Sequence, residues 1–174
     1  VIRELFEYGN RRAAIVGREN VYDYSLGNPS IPAPDYVNQT IRDVLEEMDS
    51  LAIHGYTTAV GDLETRGAIA EDLNKRYQAE VRPEDLFLGS GAAPELCAVF
   101  SALAVPGGEI LAIAPYFPEY KPFAESAGLV FKVVPPDVPD FQINMAAVEA
   151  MLTEHTQAII INSPNNPSGV VYTR

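Results

Sequence analysis

Residues 158–169 read Ala-Ile-Ile-Ile-Asn-Ser-Pro-Asn-Asn-Pro-Ser-Gly, an apolar run followed directly by turn residues. A short apolar run bounded by Asn, Pro and Gly predicts a buried strand, which we place at residues 158–162. In open α/β sheets, ligands bind at the carboxyl ends of the strands. Asn166 precedes a proline, which biases its backbone toward an extended conformation and gives its amide a defined direction. A plain turn explains the same residues equally well.

The rest of the chain alternates apolar runs with segments of helical spacing. This alternation is typical of βαβ units, so we predict an α/β fold with a mainly parallel sheet. The other predicted strands cover residues 86–88, 109–114 and 129–134. Helices are predicted within 1–18, over 35–48, 63–78 and 94–104, from after Pro118 to Ala127, and over 145–153. Asp62 and Asn144 are the expected N-caps of two of these helices, residues 22–34 an extended connector, and His54 to Gly61 a loop.

Composition excludes several classes of protein. The 174 residues carry a net charge of −12, which argues against nucleic-acid binding because phosphate contacts need clustered Lys and Arg. No apolar run approaches the roughly 20 residues that span a bilayer, so we expect no membrane segment. The single cysteine, Cys97, excludes an internal disulfide and favours a reducing cytoplasm. His54 and His155 lack metal-ligand spacing, and we predict no metal site.

A second motif, Gly89-Ser-Gly-Ala-Ala93, lies between a predicted strand and the start of a helix. Small residues let a ligand approach the backbone, and the free N–H groups of a first helical turn favour an anion such as a phosphate. The spacing is neither that of the dinucleotide-binding glycine motif nor that of a P-loop. A tight βα turn that needs small residues for packing is the alternative.

A third motif, Pro115-Tyr-Phe-Pro118, places an aromatic residue between two prolines after a strand. Such a ring has little freedom and can offer a flat face to a planar ligand, although a core aromatic under a loop is the alternative. The three strand-end motifs together suit a planar ligand with a phosphate and a ring oxygen. Pyridoxal phosphate fits that description.

The ordered set of motifs resembles the N-terminal part of the class I aminotransferases, pyridoxal-phosphate enzymes of fold type I. The resemblance covers essentially the whole chain. It implies an α/β three-layer sandwich with a mainly parallel sheet, the large domain of pyridoxal-phosphate-dependent transferases, incomplete in this chain. It also implies an N-terminal arm and small-domain segment at residues 1–33 and the N-terminal part of the large domain at 34–174.

The resemblance assigns cofactor-binding roles to particular residues. Ala92 and Ala93 would bind the cofactor phosphate through backbone N–H groups, and Phe117 would stack on the pyridine ring. Asn166 would hydrogen-bond the ring hydroxyl oxygen, with Tyr120 nearby. Tyr56, in the segment His54-Gly-Tyr-x4-Gly61, would reach across a homodimer interface to the phosphate of the neighbouring subunit. Gly27, within Ser-Leu-Gly-Asn-Pro at 25–29, would lie beside the substrate carboxylate.

Two features of the resembled family lie downstream of the matched motifs. The lysine that forms a Schiff base with the cofactor is one, and neither Lys75, Lys121 nor Lys132 stands in its sequence context. No catalytic residue is therefore assigned here, and we expect the segment alone to be inactive. The other is a set of strands that separates the strand at about 86–90 from the rest, so we expect a gap in the sheet with exposed strand edges.

The activity that the resemblance implies is transfer of an amino group between an α-amino acid and a 2-oxo acid in a cytoplasmic homodimer. Two alternatives stay open at this point. One is a pyridoxal-phosphate-dependent carbon–sulfur lyase of the same fold, since reaction type depends on groups around the downstream lysine. The other is a non-catalytic, aminotransferase-like regulatory domain that senses a ligand.

Overall fold

The computed structural model describes residues 2–24, 27 and 31–173. The chain divides into two compact units, Val1–Tyr56 and Thr57–Arg174. Apart from Gly27, the segment 25–29 lies outside the described residues, as does part of the predicted connector at 22–34. The domain boundary expected after residue 33 stays a prediction.

The described residues of the first unit form three α-helices, α1 (Ile2–Val16), α2 (Asp35–Glu47) and α3 (Ser50–His54), and one short 3₁₀ helix, Arg18–Asn20. The prediction that His54 begins a loop is wrong, because His54 ends α3. The cause of this short helix is its N-cap, since one carboxylate oxygen of Asp49 accepts hydrogen bonds from the Leu51 and Ala52 N–H groups at 2.9 and 3.2 Å. This cap stabilises a single turn of helix in a segment that is too short for the spacing of its apolar residues to predict a helix.

The second unit contains the sheet. Its elements are α4 (Leu63–Tyr77), α5 (Ala92–Leu103), β1 (Glu109–Ile113), α6 (Tyr120–Ser126), β2 (Val130–Val134), α7 (Met145–Met151) and β3 (Thr156–Ile160). The three strands pair in parallel in the order β2-β1-β3, which confirms the predicted α/β fold. The caps predicted from sequence are also confirmed, because Asp62 accepts from Thr65 N–H at 2.8 Å and Asn144 from Ala147 N–H at 2.9 Å.

The core lies on both faces of β1, whose five residues are all buried. Side chains alternate between the faces of a strand, so Ile110 points to one layer and Leu111 and Ile113 to the other. Each fully buried aliphatic side chain contributes about 1.5–3 kcal/mol. The first layer adds Phe100 of α5, Ala124 of α6 and Leu129, and the second adds Val134 of β2 and Val148 of α7. Helices therefore cover both faces of the sheet, in three layers.

The strand predicted at 86–88 is not formed. Leu86 has extended backbone angles (φ −108°, ψ 136°), but the segment pairs with no strand among the described residues. One backbone hydrogen bond ties it to a neighbouring loop, from Leu88 N–H to the Val60 carbonyl at 3.1 Å, and Phe87 is 59% exposed. Apolar residues alone do not make a strand, because its N–H and C=O groups need a neighbouring strand. The incomplete sheet agrees with the gap that we expected.

A partly buried ion pair joins Glu109, the first residue of β1, to Lys132, the middle residue of β2. Glu109 of β1 is 9% exposed, and its carboxylate accepts a hydrogen bond from Lys132 Nζ of β2 at 2.6 Å. Thr153, just before β3, donates to the other carboxylate oxygen at 2.7 Å. These contacts, Lys132 first, hold the pKa of Glu109 below its usual value. The folded chain therefore favours the ionised form of Glu109.

We expect Glu109→Gln to lower the free energy of unfolding at neutral pH, since a neutral amide is a weaker acceptor for Lys132. Because the pKa of Glu109 is lower in the folded chain than in the unfolded chain, its contribution is complete above the unfolded pKa. It is lost as pH falls through the folded pKa. Urea midpoints at decreasing pH should therefore show the difference between wild type and variant shrinking. Glu149→Gln, on the exposed face of α7, is the matched control. A pH-independent difference at Glu109 would contradict the ion-pair assignment.

Candidate functional site

Three loops of the second unit meet around a cavity of about 340 Å³. They are the start of α5, the loop after β1 with the first turns of α6, and the turn after β3. Parallel pairing causes this, because the carboxyl ends of parallel strands share one edge of a sheet. The lining residues are Ala92, Ala93, Leu96, Phe117, Tyr120, Phe123, Asn162, Pro164 and Asn166. The volume is within the range of small-molecule sites, roughly 300–1,000 Å³.

The start of α5 offers hydrogen-bond donors to this cavity. The N–H groups of Ala92 and Ala93 belong to the first helical turn and have no acceptor within the helix, whereas Pro94 has no N–H. Gly91, the N-cap, has φ 103° and ψ 169°, a conformation that residues with a side chain strongly disfavour. No atom lies within 4 Å of a Cβ placed on Gly91, so its requirement is conformational rather than steric.

The electrostatics of the cavity depend on the backbone. None of the described lining residues carries a charged side chain. Glu95, in the first turn of α5, does not line the cavity; its carboxylate occupies the space next to Gly89, where a Cβ would overlap it. An anion in the cavity would therefore be stabilised by the free amides and by the α5 dipole, equivalent to about half a positive charge.

The side chains of two adjacent aromatic residues after β1 lie in different environments. Tyr116 packs against Phe131 of β2, with ring centroids 5.1 Å apart. Phe117 lines the cavity and makes an edge-to-face contact with Tyr120, at 5.6 Å and 74°. Partial burial raises the pKa of the Tyr120 hydroxyl. Tyr120 thus supports the Phe117 ring from the side and leaves a ring surface toward the cavity.

The two asparagines of the turn after β3 differ sharply in burial. Asn165 is only 6% exposed. Its Nδ2 donates to Tyr172 Oη at 3.1 Å, and its Oδ1 accepts from Ser168 N–H at 3.2 Å and Ser168 Oγ at 2.8 Å. Asn166 is exposed at the cavity, and its side-chain amide has no partner among residues 2–24, 27 and 31–173. Asn165 therefore builds the turn, and Asn166 is free to contact a ligand.

Residues 18–174 match the family model for aminotransferase class I and II. The chain belongs to this family. An aspartate aminotransferase of Thermotoga maritima is 34% identical over 164 residues, covering 94% of this chain and 42% of that protein. A solved aminotransferase structure from Eubacterium rectale is 54% identical, with a TM-score of 0.95, over 100% of this chain and 44% of that one. The chain spans about two-fifths of the length of the curated relatives it matches.

An aromatic aminotransferase of Pyrococcus horikoshii is a third relative, 30% identical with a TM-score of 0.79 over 94% of this chain and 43% of that one. Together these similarities confirm the family resemblance that the sequence motifs indicated. They also agree with the observed fold, which the two solved relatives match with TM-scores of 0.95 and 0.79.

Six residues of this aminotransferase-family chain were predicted to form the site, and four of them, Ala92, Ala93, Phe117 and Asn166, line the cavity. The other two, Gly27 and Tyr56, belong to the first unit, where both are exposed. Their roles stay predictions, as do the individual roles of the four. Sequence reasoning missed Asn162, although a polar residue directly after an apolar strand was the signal for it. It also missed Leu96 and Phe123 as lining residues, because helical spacing marks them as core.

Two further kinds of functional feature, a metal-binding cluster and a membrane-spanning helix, are absent from the described residues. These residues include no group of three or more His, Cys, Asp and Glu that could hold a metal ion, and no helix long and apolar enough to cross a membrane. A second cavity, of about 390 Å³, lies in the first unit between α1 and residues 21–24. Its tyrosines are largely exposed, and it contains none of the six predicted site residues.

We expect Gly91→Ala to lower the free energy of unfolding by about 1–3 kcal/mol, because it forces a side chain into a sparsely populated backbone conformation. Gly67→Ala is the matched control: Gly67 lies inside α4, and a Cβ there also meets no atom within 4 Å. That control should stabilise the chain by about 0.5–1 kcal/mol. Urea denaturation of both variants measures the difference, and similar effects at the two glycines would contradict the assigned geometry.

Proposed function

We propose that the cavity binds pyridoxal 5'-phosphate and that the chain is the N-terminal portion of an aminotransferase. The complete enzyme would move an amino group between an α-amino acid and a 2-oxo acid. The observation that carries this proposal is the convergence of free backbone amides, an aromatic ring and an uncommitted asparagine amide on one cavity. Membership of the aminotransferase family supports it.

The described residues fit the chemical groups of this cofactor. The Ala92 and Ala93 N–H groups would donate to the phosphate, and Gly91 provides the backbone conformation from which α5 begins. Phe117 would lie against the pyridine ring. Asn166 Nδ2 would donate to the ring hydroxyl oxygen. When bound, the cofactor supplies the electron sink on which amine transfer depends.

The chain's own contribution is binding and orientation. The apolar side chains of Leu96 and Phe123 reduce the access of water to the cavity and strengthen the hydrogen bonds made inside it. Tyr120 is the one titratable side chain among the described lining residues, and they include no lysine to move protons to and from a substrate. We infer that those proton transfers need residues beyond the ones described, so that this segment holds and orients the cofactor.

The remaining assignments extend the proposal to substrate and partner. Gly27 would lie beside the substrate carboxylate. Tyr56 would contact the cofactor phosphate of a second subunit in a homodimer, and its fully exposed side chain is compatible with such a contact. The cytoplasmic location inferred from the single cysteine stays a prediction.

An amine-transfer assay on the complete gene product tests the function. With pyridoxal phosphate, amino-acid donors and 2-oxoglutarate, we expect glutamate to form only when a donor is present, with aspartate tested first because of the relatives' names. Release of pyruvate and ammonia without transfer would instead indicate a lyase. Cofactor binding without turnover of any donor would favour a regulatory domain, and either result would overturn the proposal.

The role of Asn166 is tested with 4-deoxypyridoxine 5'-phosphate, which keeps the ring hydroxyl and the phosphate but has no aldehyde to react with surface lysines. We expect Asn166→Ala to weaken its binding to the apo-protein about 3- to 10-fold, the usual value of one neutral hydrogen bond. Calorimetric titration provides the measurement. Inorganic phosphate, measured by competition, should bind both proteins equally because its donors are at α5. An equal loss for both ligands would place Asn166 at the phosphate and contradict the assignment.

A further inference from the structure

We propose that Asn162 is a positioning residue of this site, which holds the backbone of Asn166 and so determines where the Asn166 amide points. The inference rests on the proposed cofactor site and extends it to Asn162, which would act on the ligand only through Asn166. Its basis is one hydrogen bond, in which Asn166 N–H donates to Asn162 Oδ1 at 2.9 Å.

This hydrogen bond occupies a unique place in the turn. Pro167 has no N–H, so Asn166 provides the only backbone donor of the Asn166-Pro167 pair. Before it, Asn165 N–H donates to the Val170 carbonyl at 2.8 Å, and after it, Ser168 N–H donates to Asn165 Oδ1. Asn162 therefore holds the backbone at Asn166, whereas Asn165 holds the backbone at Ser168 and Gly169.

The two asparagines that hold the turn are attached to different rigid elements. Asn162 follows the last residue of β3, Ile160, by two positions and is half-buried. Asn165 is linked through Tyr172 to the core cluster that contains Leu111 and Val134. Asn166, exposed between these anchors, owes its position to both. Asn162 is the better one to test, because it is less buried and makes a single described hydrogen bond.

Direct contact with the ligand is the alternative role for Asn162, since it also lines the cavity. Its Oδ1 is occupied by Asn166, but its Nδ2 has no partner among the described residues. A direct contact and a positioning role differ in one respect. A positioning effect disappears when the Asn166 side chain is absent, whereas a direct contact persists.

A double-mutant cycle makes this distinction. The affinity of the apo form of the complete gene product for 4-deoxypyridoxine 5'-phosphate is measured by calorimetry in four proteins: wild type, Asn162→Ala, Asn166→Ala and the double variant. We expect Asn162→Ala to weaken binding about two- to tenfold when Asn166 is present and to have no further effect in the Asn166→Ala background. Equal losses in both backgrounds, or no loss in either, would overturn the inference.

Further variants separate positioning from loss of stability. Asn162→Asp keeps the acceptor oxygen, and any repulsion of the phosphate by its charge affects both backgrounds equally. We expect the cycle with this variant to retain the wild-type dependence on Asn166. Loss of that dependence would count against Oδ1 as the atom that positions Asn166.

Gln157→Ala removes a side-chain hydrogen bond to the His155 carbonyl at the other end of β3 and should leave affinity unchanged. A wild type that does not bind the probe would overturn the proposed site itself, whereas binding without coupling would overturn only the role of Asn162.

Discussion

The parallel pairing of β1 with both of its neighbours is the constraint on which the rest of the second unit depends. All five residues of β1 are buried, and β2 and β3 flank it in the same direction. Parallel strands need crossover connections, and here these contain α6 and α7, on opposite faces of the sheet. The same arrangement brings the loops after β1 and β3 to one edge, where the start of α5 also lies. The position of the cavity follows from the sheet.

Some residues around the cavity are assigned to contact a ligand, and others, which include the lining residues Tyr120 and Asn162, hold them in place. The residues assigned to contact the ligand are Ala92, Ala93, Phe117 and Asn166. Each is held by a nearby residue, and the sequence motifs alone do not separate the contacting residues from the holding ones. Gly91 gives α5 its starting geometry, Tyr120 supports Phe117 from the side, and Asn165 and Asn162 hold the turn that carries Asn166. Because none of the described lining residues has a charged side chain, the proposed recognition of an anion would depend on oriented dipoles rather than on charge. A small change in the position of these donors should therefore weaken the binding of a ligand.

Much of the fold was predictable because its signals are local. Asp62 and Asn144 cap helices through bonds to residues three positions away, and β1 has an unbroken apolar run between turn residues. Some of the errors came where distant residues decide, whereas the short helix α3 was missed although its Asp49 cap is local. Strand β3 begins at Thr156, two residues before the predicted start, because β1 pairs with polar residues too. Residues 86–88 have a strand's composition but no neighbour. Of two adjacent asparagines, Asn165 is the buried one because its side chain bonds Ser168 and Tyr172 within the same turn. Residue type alone does not show which of the two makes these bonds.

A crystal structure of the complete gene product with pyridoxal 5'-phosphate tests the central claim most directly, because the claim assigns one chemical group of the ligand to each of the three segments that meet at the cavity. The account predicts the phosphate within hydrogen-bonding distance of the Ala92 and Ala93 amide nitrogens, the pyridine ring against Phe117, and the ring hydroxyl oxygen at Asn166 Nδ2. A cofactor bound away from the α5 N-terminus, or with its phosphate at the turn after β3, would contradict it.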